Sequence, residues 1–408
     1  MARGNDKEVL VIGTLDTKSD EFAYLMSCLK KQDLKTILMD GGILGTPRLK
    51  ADISPEEVAR AAGSTLDAVR LSKGEGDAIA AMMKGATRKA LDMYNAGRLS
   101  GVISMGGSMG TSLGTAVMRA LPFGIPKVML SIMASGNTRA FIGTRDIVML
   151  HSVADIIGLN RITRRVIEDA ALTIAGMVKG VRFEVISTKK LVSLTTKGTQ
   201  EGCVQAVRKG LEYEGYEVVT FSASGTGGDA MEELIAQGEI DMVIDLCLFE
   251  VINSAFGGIG IQISHSDRLM AAINRKIPMV VAPGCIEFFV EGPYEQTKQM
   301  YPDKPLHIHN PAITVVRYSS TELARFGMEL ARKLNIAQGP VAVVIPLKGF
   351  SVFAQPGHVL CDLEADSQFT RTLKANIKSS IPVIEVDANI NDPAFSNKVL
   401  ETFFGLVN

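Results

Sequence analysis

Glu8-Val9-Leu10-Val11-Ile12-Gly13-Thr14 (8–14) decides the fold. Four consecutive β-branched or leucyl residues stop at a glycine, which reads as a strand buried on both faces and ended by a turn. A helical pattern over Ser19–Gln32 follows, then a second strand-like run, TILMDGG (36–42). The alternation continues with helices over Pro55–Ala62 and Asp77–Ala96 and strands at GVISMGG (101–107), KVMLSIM (127–133) and IVMLHSV (147–153). A helix over Arg161–Lys179 closes this half. Strands alternating with helices are the mark of stacked βαβ units and a parallel sheet.

The pattern then restarts. KLVSLTT (190–196), EVVTFSA (217–223), MVIDLCL (242–248), PMVVAPG (278–284), AITVVRY (312–318), VAVVIPL (341–347) and PVIEVDA (382–388) are all apolar runs. All seven are assigned to a second covered parallel sheet. The basic stretch VKGVRFEVISTKK (178–190) separates the halves. The fold class is therefore α/β, with two Rossmann-like doubly wound domains, 1–182 and 183–408, and mainly parallel sheets.

Composition removes several function classes. The 408 residues carry 43 Lys and Arg against 44 Asp and Glu, so no basic face is available for coating a nucleic acid. No apolar run reaches the roughly 18 residues a membrane span needs, and MARGNDKEVLVIGT does not read as a secretory leader. Five scattered cysteines without a C-x-x-C suit a reducing cytoplasm rather than a disulfide framework.

In doubly wound sheets, ligands lie outside the carboxyl ends of the strands. Four turns of the first half are candidates there. Gly13-Thr14-Leu15-Asp16-Thr17-Lys18 puts hydroxyls and a lysine at a helix start, though Thr17 can equally be a plain N-cap. Asp40-Gly41-Gly42 ends a strand with a carboxylate suited to a ribose hydroxyl or Mg²⁺. Gly106-Gly107-Ser108-Met109-Gly110-Thr111-Ser112 is the strongest, because glycines and hydroxyls ahead of a helix make an anion nest. Ser135-Gly136-Asn137-Thr138-Arg139, with Gly143-Thr144-Arg145-Asp146, adds two arginines. Together they point to a phosphate-bearing ligand. Gly-Lys occurs nowhere in the chain, so this is not a standard P-loop.

Two other chemistries compete. Gly106-Gly107-Ser108-Met109-Gly110 also satisfies G-x-S-x-G, which would make Ser108 a hydrolase nucleophile with Asp146 and His151 as partners. In the second half, His307 and His309 share one face of an extended segment, and His265 with Asp267 precedes a helix. These residues could serve a metal-dependent enzyme, or acid–base work on a second substrate; hydrogen-bonded structural histidines are the blander reading. Gly225-Thr226-Gly227-Gly228-Asp229-Ala230 fits G-x-G-x-x-A, but follows a second strand rather than a first, so it is read as a capped loop. Gly257-Gly258-Ile259-Gly260, Pro283-Gly284 and Lys348-Gly349 are similar turns.

An ordered set of short motifs resembles the Tm-one-like ATP-binding domain family, named after a tomato tobamovirus-resistance protein. They are Gly13-Thr14 with Asp16-Thr17-Lys18, Gly106-Gly107-Ser108, Gly143-Thr144 with Asp146, Gly158-Leu159-Asn160 and Arg164-Arg165. His265-Ser266-Asp267-Arg268, Pro283-Gly284, His309-Asn310-Pro311 and Asn391-Asp392-Pro393 extend the resemblance over the whole chain. It implies two Rossmann-like domains, ATP in the first, and a homodimer; Asp16 and Asp40 are read from the residues as addressing Mg²⁺ or ribose. The nucleotide contacts it implies fall at Gly13, Thr14, Asp16, Gly106, Gly107, Ser108 and Gly110. The chain departs from the family pattern at Glu287, Val290, Phe353 and Ala354.

Overall fold

The computed structural model describes residues 7–45, 47–180, 187–256, 264–265 and 267–407. The chain divides into two compact units, Met1–Val185 and Ile186–Asn408. The Gly257–Gly260 turn and Ser266 of the sequence reading lie outside the described residues.

The first unit holds a five-stranded sheet built from β1 (Glu8–Gly13), β2 (Thr36–Asp40), β3 (Leu99–Gly106), β4 (Lys127–Ser131) and β5 (Val148–His151). Its order is β2-β1-β3-β4-β5, and every pairing is parallel. Alternate residues of β1 serve opposite layers, as the pleat requires. Leu10 and Ile12 pack with Met82 of the helix Glu75–Asn95 and Leu113 of the helix Ser108–Ala120. Val9 and Val11 pack with Phe22 of the helix Leu15–Lys31 and Ile167 of the helix Arg161–Lys179. The connections diverge between β1 and β3, so the carboxyl ends of those strands frame the crevice where such folds place ligands.

The second unit is laid out in the same way. Its six-stranded parallel sheet contains β6 (Leu191–Thr196), β7 (Glu217–Ser222), β8 (Met242–Cys247) and β9 (Met279–Gly284). Between β9 and the last two strands the chain inserts a separate three-stranded antiparallel sheet of β10 (Phe288–Glu291), β11 (Leu306–Asn310) and β12 (Ile313–Arg317). The parallel sheet is completed by β13 (Val341–Pro346) and β14 (Val383–Val386), in the order β14-β13-β9-β8-β6-β7. The run at 312–318 is thus a strand, as expected, but the centre of the antiparallel insert rather than a member of the parallel sheet. Val315 and Val316 are both buried, so its sequence looks the same as a covered parallel strand. Among the described residues, no helix is long and apolar enough to cross a membrane.

Candidate functional site

At the end of β1, a Cβ on Gly13 would fall 1.9 Å from Cζ of Phe22, so this glycine is needed for ring packing. Gly41 is constrained likewise, with Leu113 Cδ2 2.4 Å from where its Cβ would be. Asp40 is turned inward and only 1% exposed. Its Oδ1 accepts the amide hydrogens of Leu15 (3.0 Å) and Gly42 (2.8 Å), tying the first helix to the turn after β2. Burial pushes its carboxyl pKa up, against the pull of those two amides. Asp40 is therefore a structural tie, and not the ribose or Mg²⁺ contact expected from sequence.

Asp16 also reaches the second turn, where its Oδ2 accepts from Ile43 (3.0 Å) and Leu44 (2.9 Å). Its buried Oδ1 has no partner among the described residues. Lys18 departs from expectation. The helix is broken at this residue (φ −136°, ψ 32°), and its Nζ donates to the carbonyl of Ile156 at 2.6 Å. The ammonium thus leaves the crevice for the loop after β5. Thr14 and Thr17 stay at the crevice, with their hydroxyls 3.4 Å apart.

The turn after β3 is built for close approach. A Cβ on Gly106 would meet Cα of Gly110 at 3.0 Å, and one on Gly110 would meet the Met105 carbonyl oxygen at 3.2 Å, so the helix presses directly on the strand end. Gly107 is the N-cap of the 13-residue helix Ser108–Ala120; it offers no capping side chain, and no acidic residue lies in the first turn. The first amides of a helix lack intrahelical acceptors, and the dipole adds positive potential there. Thr111 is not available to a ligand. It is fully buried, its hydroxyl 2.7 Å from the Gly107 carbonyl and 2.6 Å from the Ser131 hydroxyl.

These elements border a cleft of about 220 Å³ lined by Thr14, Asp16, Thr17, Gly41, Gly42 and Met109 together with Ile43, Leu44, Glu75, Ile79 and Met82. Helical periodicity alone gives Ile79 and Met82 to the core and hides their place in this lining. Met109 does carry a signal of its own, a large apolar side chain left 41% exposed at a helix start.

The hydrolase elbow is not assembled. Asp146 bonds Lys127 Nζ (2.7 Å) and the Gly124 amide (2.8 Å). Lys127 opens β4, whereas Ser108 follows the close of the neighbouring parallel strand β3, so the two lie at opposite ends of the strands. Arg145 and Arg119 are likewise engaged, with Arg145 Nε on the Arg119 carbonyl at 2.7 Å.

In the second unit, His265 is exposed and its backbone amide bonds Asp229 (2.9 Å). Exposed Asp267 pairs with Lys333. His307 packs against the rings of His358 (centroids 4.8 Å) and Phe353 (5.1 Å), and burial lowers its pKa, helped by His358 and His309. His309 lines a separate cleft of about 440 Å³ together with Lys197 and Thr199. Among the described residues, no group of three or more His, Cys, Asp or Glu side chains is placed to hold a metal ion.

Sequence reasoning missed two buried networks. Arg268, 1% exposed, pairs with Asp245 (2.6 Å), with Glu250, and with Glu232 at 3.5 Å. Glu250 also accepts from the amides of Gly225 (2.5 Å) and Gly228 (3.4 Å). The second network joins Glu287 to Ser351 and Arg317 to Asp366.

Comparison with known proteins agrees across the whole chain. Residues 7–182 match the Uncharacterised protein family (UPF0261) N-terminal domain, and residues 189–407 match its C-terminal domain. A UPF0261 protein of Clostridium tetani is 38% identical over 96% of both chains. The ToMV resistance protein Tm-1(GCR237) of Solanum lycopersicum is 33% identical over 98% of this chain and 56% of its own. Among solved structures, UDP-GlcNAc 2-epimerase of Methanocaldococcus jannaschii aligns over 98% of this chain and 93% of its own, at 9% identity and a TM-score of 0.23. With both of its halves matched and full-length relatives above 30% identity, this chain belongs to the UPF0261 family, to which the tomato Tm-1 proteins are similar.

Proposed function

We propose that the N-terminal unit binds ATP together with Mg²⁺ in the cleft at the ends of β1, β2 and β3. The observation that carries this reading is the helix Ser108–Ala120, which starts at the crevice with a glycine cap, uncapped amides and no carboxylate in its first turn. Such a helix start suits phosphate oxygens. Met109, Ile79 and Met82 offer apolar lining for a base, and Thr14 and Thr17 bring hydroxyls to the same cleft. ATP, rather than another nucleotide, follows from the family resemblance of the motifs.

Electrostatics sharpen the proposal. Among the described residues lining the cleft there is no Lys or Arg, while Asp16 and Glu75 are both present. A triphosphate entering alone would meet two carboxylates with only amides and a dipole to offset them. The unpartnered Oδ1 of Asp16 is an oxygen of the type Mg²⁺ takes. Binding should therefore depend on the metal. In a thermal unfolding series, ATP with Mg²⁺ raises the melting temperature, as ligation at a hundredfold excess over Kd adds about 2.7 kcal/mol, and ATP with EDTA gives little shift. No shift with any nucleotide, with or without Mg²⁺, would overturn the reading. Release of ADP or AMP once a second substrate is supplied would extend it from binding to catalysis.

A further inference from the structure

The roughly 440 Å³ cleft of the C-terminal unit lies where the antiparallel insert meets the carboxyl end of β6. Phe288 and Val290 of β10, Ile313 and Val315 of β12, and Phe353 make its walls apolar. The polar groups come from Lys197-Gly198-Thr199, directly behind β6, and from His309 on β11. Small-molecule sites typically enclose about 300–1,000 Å³ and combine apolar walls with a few convergent polar groups. Because β6 pairs with both β7 and β8, Lys197 also stands at the point where the connections of this sheet diverge.

Lys197 is half-buried, with its Nζ 3.8 Å from the centroid of the Phe249 ring. Burial lowers its pKa, and the nearby Cys247, Cys285 and Glu250 side chains oppose that shift only in part. Lysines desolvated in apolar pockets become amine nucleophiles, because the neutral form carries the lone pair. The proposed nucleotide site uses none of these residues. It lies in the other unit, and its failure would leave the chemistry of Lys197 untouched.

We propose that this cleft takes a small aldehyde or ketone with an apolar body and holds it as a reversible imine on Nζ of Lys197. The amine first gives its extra proton to solvent. Its lone pair then forms the N–C bond while the carbonyl π pair moves to oxygen; the oxygen takes up a proton and the nitrogen gives one up, leaving a neutral carbinolamine. That oxygen leaves as water after a second protonation, as the nitrogen pair closes the C=N bond and the N–H proton returns to solvent. One water is released, and no oxidant or reductant is needed. His309 lines the same cleft.

Benzaldehyde with sodium cyanoborohydride at pH 7 tests the proposal on the full chain, with peptide mapping by mass spectrometry. The expected result is an adduct at Lys197 formed several-fold faster than the mean of the other lysines. The α-amino group is scored separately. Lys197→Met keeps the stem over Phe249 and removes that adduct alone. Labelling of Lys197 no faster than the other lysines would overturn the proposal. So would benzaldehyde seated in the cleft by NMR without reduction at Lys197. If the Lys197→Met variant does not fold, the peptide-resolved rates of the wild-type chain decide the question.

Discussion

Two glycine turns, one in each unit, begin helices behind strands and meet opposite fates. The turn at Gly225–Gly228 is filled from within, because Glu250 lays its carboxylate on the Gly225 and Gly228 amides and Arg268 closes over the other side. A Cβ on Gly228 would lie 1.8 Å from Glu250 Oε2, so that glycine makes room for the protein's own anion. Among the described residues, the turn at Gly106–Gly110 has no such capping carboxylate. Its cap residue Gly107 is extended (φ −75°, ψ −160°), and a Cβ there would meet nothing closer than Ile132 Cδ1 at 3.8 Å. Glycine is thus not forced by backbone strain or crowding at position 107. A glycine-rich turn marks a place for negative charge, and the neighbouring residues decide whether a ligand or the chain supplies it.

The filled turn is the more sensitive of the two. Burial opposes the charge of Arg268, but Asp245, Glu250 and Glu232 more than offset this and hold its pKa raised. Burial raises Glu250 and Glu232, with Arg268 acting against it. Replacing Arg268 by Met strands three buried carboxylates, and breaking a buried pair in this way costs about 3–5 kcal/mol. Urea denaturation should show that loss in the C-terminal unit. A variant of wild-type stability would mean that the network is not a single electrostatic unit.

The open turn can be converted into the filled kind. Gly107→Asp supplies the missing cap and a fixed negative charge where phosphate oxygens are proposed to sit. Relative to glycine, an N-cap carboxylate adds only a few tenths of a kcal/mol of helix stability, with about 0.3–1 kcal/mol more from the dipole. The variant should therefore melt no lower than wild type and yet lose ATP binding by more than tenfold in calorimetry. Retained affinity would place the phosphates elsewhere, and a joint loss of stability and binding would point to packing instead.

The architecture was legible because β1, β3, β8 and β9 are largely apolar runs, and β1, β3, β6 and β9 end in glycine or polar turns. The antiparallel insert was less so. Phe288–Glu291 is four residues long and starts four residues after β9 ends, so it reads as loop. The 312–318 run declares a strand but not its neighbours, because strand direction is a property of pairing rather than of composition. At the candidate site, the turns could be found but their residues could not be sorted. Gly13 and Gly107 look alike in sequence, and only the Phe22 ring distinguishes them. Lys18 follows the first turn as a phosphate-binding lysine would, but the break in the helix sends it to Ile156. The buried carboxylates gave no local signal, because their partners lie far along the chain.

The smallest effect concerns carboxyls buried without full partnership. Glu287 bonds the Ser351 hydroxyl through Oε1, while Oε2, Nε and Nη1 of Arg317, and Oδ2 of Asp366 have no partners among the described residues. Burial, aided by Asp366 and opposed by Arg317, pushes the Glu287 carboxyl up to about 7 from 4.5. Burial likewise lifts Asp366 to about 6 from 3.8, against Arg317. Between those values, the folded chain holds protons that the unfolded chain has released, so raising the pH favours unfolding. The stability these groups contribute is complete below their unfolded values and is lost by about pH 7, at no more than about 1.4 kcal/mol per pH unit for each proton. Glu250 is also raised by burial, but it faces Arg268 at bonding distance, whereas Glu287 and Asp366 each keep an oxygen without a partner among the described residues. Urea midpoints of the wild type should fall between about pH 4.5 and 7, and Glu287→Gln should flatten the upper part of that slope. An unchanged slope in the variant would move the retained proton to Asp366. A wild-type midpoint that rises over the same range would mean that both carboxylates are ionised in the folded chain and paired with Arg317.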